Sequence, residues 1–128
     1  MWYAIDIRKQ SQLGEFSADI LIPADSDWFD GHFPGNPVLP GIAQLGMVFE
    51  VLGRMIEGDV QVMQVQRVRF RQMILPGDRV VVGVQPKPDK NGLHAFRILK
   101  DGEVICTGGM AVAPGINKKD DWKPTSGA

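Results

Sequence analysis

Apolar and polar residues alternate over residues 16–23 (FSADILIP), the period-two pattern of a half-buried strand. A loop dense in Gly, Pro, Asp and Asn follows over 25–40, and then the pattern changes. Over residues 41–57 (GIAQLGMVFEVLGRMIE) apolar side chains fall nearly all round a helical wheel, interrupted only by Gln44, Glu50, Arg54 and Glu57. This predicts a buried helix, with Gly58 as its stop. It is too short and too polar to span a bilayer, which takes about 20 apolar residues. Residues 60–73, 78–86, 93–100 and 103–113 then predict strands. The turns between them are Pro76-Gly77-Asp78, residues 89–92 and Asp101-Gly102, each able to reverse the chain. One helix followed by successive antiparallel strands implies an α+β domain in which a curved sheet wraps the helix.

The 128 residues suffice for one domain with a real core, expected over 1–114. After Ala113 all periodicity is lost, so 115–128 are expected to form a flexible tail. A net charge of −1 gives no cationic field for nucleic acid or anionic lipid, and nucleic acid is not expected as a partner. The N-terminal MWYAIDIRKQ lacks an apolar core with a cleavage site, so a cytoplasmic location is expected. Cys106 is the single cysteine, which rules out an intrachain disulfide. In the apolar run VICTGGMAV it reads as a small buried hydrophobe.

The chemistry concentrates in Gly31-His32-Phe33-Pro34-Gly35-Asn36-Pro37-Val38-Leu39-Pro40-Gly41. Three prolines restrict this loop and fix where the His32 imidazole points. The first amides of the helix, Gly41 among them, have no intrahelical partner and lie at the positive end of its dipole. A base held beside such donors suits removal of a proton alpha to a thioester carbonyl, because the amides stabilise the enolate-like oxygen. Taken by itself, a lone loop histidine is more often structural or simply exposed, even though its pKa suits proton transfer. His94, the other histidine, falls in a predicted strand and is given no role.

The run HFPGNPVLPG resembles the signature of the bacterial beta-hydroxyacyl-acyl carrier protein dehydratases, which open their site with His-Phe-Pro-Gly and close it with Pro-Gly before the central helix. Residues 68–78, ending in Pro-Gly-Asp, and Asp101-Gly102-Glu103-Val104 are similar to later parts of the same family. The resemblance implies a hotdog fold, a homodimer or assembly of dimers, and acyl tunnels between subunits. It implies His32 as catalytic base, with Gly41, Phe33 and Pro40 on the substrate and the Gly41 amide on the thioester carbonyl. The implied reaction is dehydration of a beta-hydroxyacyl thioester, carried on acyl carrier protein or coenzyme A, to the trans-enoyl thioester in fatty acid or related acyl-chain synthesis. No metal and no separate organic cofactor is expected.

The family's helix carboxylate, contributed by the neighbouring subunit, falls at Gly46, which has no side chain. Glu50 lies one turn later on the same helix face, and helical side chains lean toward the N-terminus, so its carboxylate is a candidate replacement acid. Pairing with Arg54 at i,i+4 is the competing reading. Asp30 and Gln44 are weaker candidates, since Asp30 suits a turn and Gln44 cannot donate a proton. Arg67, Arg69 and Arg71 alternate in a predicted strand, either as a solvated face or as a docking patch for an acidic carrier and its phosphopantetheine. Two functions compete with dehydration: a non-catalytic acyl-binding subunit paired with a complete dehydratase, and thioester hydrolysis on the same fold. Acyl chain length would depend on how Met47, Phe49 and Met55 pack.

Overall fold

The computed structural model describes residues 4–7, 15–25, 39, 41–56, 59–90 and 92–114. The elements run β1 (Ala4–Ile7), β2 (Phe16–Leu21), α1 (Gly41–Met55), β3 (Val60–Phe70), β4 (Arg79–Pro86), β5 (Leu93–Lys100) and β6 (Glu103–Pro114). The strands form one six-stranded sheet in the order β1-β2-β4-β5-β6-β3, antiparallel at every pairing. Helix α1 packs on this sheet, mainly over β4, and also touches β2 beside it and the far edge strand β3.

The turn residues do what their types allow. Asp101 (φ 53°) and Gly102 (φ 81°) connect Lys100 to Glu103, a two-residue hairpin in which both positions are left-handed. At the turn before β4, the Leu75 amide donates to Asp78 Oδ2 at 2.7 Å, and Lys100 Nζ reaches that same oxygen at 2.8 Å. Gly77 N donates to Ile22 O and Ile22 N to Asp78 O, both at 2.9 Å, so the turn prolongs the β2–β4 pairing.

The core is the inner face of the sheet against one side of the helix. Val80, Val82 and Val84 alternate inward along β4 and meet Ala18 and Ile20 of β2, Phe96 and Ile98 of β5, and Met47, Val48, Val51 and Leu52 of α1. Burial of each of these side chains larger than alanine contributes about 1.5–3 kcal/mol before conformational entropy is charged against it.

Three expectations are corrected. The strand expected over 60–73 stops at Phe70, because Arg71 makes its last bond to β6 (N to Ile105 O, 2.7 Å) and the chain then turns so that Ile74 O accepts from Leu39 N at 2.8 Å. The helix expected to 57 ends at Met55, although Ile56 N still reaches Leu52 O at 2.9 Å. The helix is also not buried all round: Ile42 is 73% exposed and Gly46 is exposed, since one sheet covers only one side of a cylinder. Strand β1 was not expected at all. Most of the 25–40 loop and the whole of 115–128 lie outside the described residues, His32, Phe33 and Pro40 among them. Among the described residues no helix is long and apolar enough to cross a membrane.

Candidate functional site

Helix α1 begins against β3. A Cβ built on Gly41 would lie 2.8 Å from Phe70 Cζ, so only glycine lets the first turn approach this ring so closely. The Leu39–Ile74 hydrogen bond holds the chain just before the helix onto the segment just after β3. Between them opens a cleft of about 420 Å³ lined by Leu39, Gly41, Gln44, Phe70, Arg71, Gln72 and Met73. The free amides of the helix's first turn face this end of the molecule, where a developing negative charge on an oxygen is stabilised.

Gln44 cannot donate a proton, yet it is the unusual residue here. It is 3% exposed, and its Oε1 is the one buried side-chain polar atom among the described residues with no hydrogen-bond partner. Nothing in the pattern separates it from an ordinary polar residue on a helix rim.

Gly46 and Glu50 lie on the helix side that the sheet leaves open. Among the described residues nothing lies within 4 Å of a Cβ built on Gly46. Glu50 Oε1 accepts from Arg54 Nη2 at 3.4 Å, an i,i+4 pair with both side chains substantially exposed. A pair of this kind contributes about 0.3–0.5 kcal/mol.

The three arginines do not share a face. Register slips between Gln66 and Arg69, and Arg67 sits at φ 54°, so a bulge replaces the regular alternation. Arg71 lines the cleft beside Gly41, whereas Arg67 lines a separate depression with Lys87, Lys90 and His94. Arg69 stands opposite Thr107. No glycine or asparagine marked the bulge, which is why the strand looked regular.

His94 is buried, and Gly92 O lies 3.1 Å from its Nδ1. Burial lowers its pKa from 6.5, with the hydrogen bond to the Gly92 carbonyl opposing, so its surroundings favour the neutral ring. Burial pushes the Cys106 thiol up to about 11, which removes it as a nucleophile near neutral pH. Among the described residues no group of three His, Cys, Asp or Glu side chains could hold a metal ion.

A sheet of six antiparallel strands around one helix, with the helix N-terminus open to a cleft, is the hotdog fold, and solved structures that superpose on the chain agree. The chain belongs to the ApeI-like dehydratase family, whose model matches residues 7–109. It is similar to the ApeI:P dehydratase heterocomplex of Xenorhabdus doucetiae, at 25% identity and TM-score 0.77, over 88% of this chain and 99% of that one. In sequence it is 29% identical to the 3-hydroxyacyl-[acyl-carrier-protein] dehydratase FabZ of Klebsiella pneumoniae over 103 residues, 72% of this chain and 68% of FabZ. The PaaI protein of the E. coli phenylacetic acid degradation operon shares the fold alone, at 12% identity and TM-score 0.64, over 87% of this chain and 79% of PaaI.

Proposed function

We propose that the chain binds a beta-hydroxyacyl thioester at the start of α1 and takes part in its dehydration to the trans-enoyl thioester. The observation that carries this reading is the Gly41 end of the helix, closed against Phe70 and opening on a cleft, in a chain of a dehydratase family. The Gly41 amide holds the carbonyl, with Phe33 and Pro40 beside the acyl chain, and His32 takes the alpha proton. The beta-hydroxyl leaves as water with a proton from an acid, and the electron pair closes the double bond. Glu50 is the carboxylate that the open side of α1 offers for that last role. The substrate arm is a pantetheine thioester of acyl carrier protein or coenzyme A, in keeping with the FabZ likeness.

Assembly is part of the proposal. β3 is an edge strand of eleven residues whose Val62, Met63, Val65 and Phe70 are exposed, and Ile42 is exposed at the start of the helix. An apolar edge of this length favours pairing with a second hotdog chain, which would lay one open helix side over the other chain's site. Gly46 favours a second reading, that the partner is a complete dehydratase paralogue and this chain its non-catalytic acyl-binding subunit. The Glu50–Arg54 pair points the same way, and a likeness to a chain from a dehydratase heterocomplex is in keeping with it.

The purified protein, incubated with beta-hydroxybutyryl thioester and followed by enoyl absorbance, separates the two. Turnover that falls by orders of magnitude in both His32→Ala and Glu50→Gln is the outcome expected of the first reading. A folded protein that binds the thioester and stays silent supports the subunit. Release of free thiol would show a thioesterase and overturn both.

A further inference from the structure

Resting on the reading of the Gly41 cleft as the thioester site, we infer that Gln44 is a specificity-determining residue whose side-chain carbonyl accepts a hydrogen bond from the substrate's beta-hydroxyl. A buried acceptor without a partner is costly, and native structures keep one where a ligand or water completes it. Gln44 Oε1 is such an acceptor, and Gln44 is among the residues that line the cleft beside Gly41.

The spacing fits the ligand. Gln44 follows Gly41 by three residues, about 4.5 Å along the axis, and its side chain leans back toward the N-terminus, over the surface next to Gly41. In a beta-hydroxyacyl thioester the hydroxyl carbon is two bonds from the carbonyl carbon. A carbonyl held on the Gly41 amide therefore leaves the hydroxyl within one helical turn, on the Gln44 side.

Among the described lining residues this task falls to Gln44. Leu39, Phe70 and Met73 are apolar, and Arg71 can only donate. Gln72 is exposed and turned to Glu103, its Nε2 donating to Oε2 at 3.3 Å. A hydroxyacyl chain completes the Gln44 acceptor, whereas the saturated or enoyl chain leaves it unpaired. A site that hydrogen-bonds a hydroxyl discriminates against the analogue lacking it, because the protein group is stranded in the wrong complex.

The test compares beta-hydroxybutyryl- and butyryl-coenzyme A on the full chain. Affinity is read as Kd, or as KM where the thioester is turned over. The unaltered protein is expected to prefer the hydroxyl compound by roughly tenfold, the size of one neutral hydrogen bond. Gln44→Met fills nearly the same volume without the acceptor, and it should lose the preference, binding butyryl-coenzyme A at least as tightly as the unaltered protein does and the hydroxyl compound more weakly. Its thermal midpoint should hold or rise, since an unpaired buried polar atom has gone. Gln44→Leu repeats the measurement with a different apolar shape. A preference that persists in both folded variants, or that is missing from the unaltered protein while butyryl-coenzyme A still binds, overturns the role of Gln44 alone. Failure of the unaltered protein to bind either thioester overturns the Gly41 site and this inference with it.

Discussion

The two sides of helix α1 share one sequence and have opposite surroundings. On the inner side Met47, Val48, Val51 and Leu52 are fully buried against β4 and its neighbours. On the outer side Ile42 is largely exposed, and among the described residues a Cβ on Gly46 meets nothing within 4 Å and Glu50 pairs with Arg54. The wheel is apolar on both, so the sequence pattern alone reads as one buried helix. The inner side is finished within this chain, whereas the outer side has the composition of a core without its second layer. The difference separates residues that set the stability of the chain from residues that act through assembly.

Truncation on the two sides gives the widest contrast. Leu52→Ala removes a fully buried side chain beneath β4 and is expected to cost about 2–5 kcal/mol in denaturant unfolding of the chain. Ile42→Ala, at a position 73% exposed, should cost about 0.5 kcal/mol or less in the same measurement. Equal costs would mean that the outer side is already packed, and the comparison would fail.

How much of this was legible follows from what each residue depends on. The turns at Asp101-Gly102 and Pro76-Gly77-Asp78 depend on local backbone preferences, and β4, β5 and β6 follow from them within a residue or two. β1 is four residues long and pairs Asp6 opposite Asp19, so neither its length nor its polarity announced a strand. The bulge at Arg67 and the end of β3 at Phe70 depend on partners distant in the chain, β6 and Leu39, which no local window contains. At the site, the place of Gly41 at the helix start was readable from the Pro-Gly step. The burial of Gln44 was not, because glutamine in a helix ordinarily faces water.

The open edge supplies the next test. Met63 is 62% exposed on β3, so Met63→Glu should leave the stability of the isolated chain nearly unchanged. In the assembled form it sets two carboxylates near the pairing edge, and the dissociation constant should rise by about tenfold or more, read by sedimentation across a dilution series. An unchanged assembly would move the interface away from β3 and leave the apolar edge without that explanation.

The smallest expected effect sharpens the comparison most, because it asks what Gly46 is for. Gly46 and Gly53 are both helical, neither lies in the left-handed region, and a Cβ on either meets nothing within 4 Å. Replacing a helical glycine by alanine under such conditions stabilises by about 0.4–1 kcal/mol, mainly by restricting the unfolded chain. Gly46→Ala and Gly53→Ala should therefore raise the unfolding free energy of the dissociated chain by similar amounts. If the outer side of α1 receives a second chain near Gly46, the two variants part company on assembly: the Gly46 methyl meets the partner's backbone or acyl chain and weakens association, while Gly53→Ala does not. Association unaffected in both variants would place the partner away from this helix face, and the missing side chain at Gly46 would then be a loss of the acid alone, with no steric purpose.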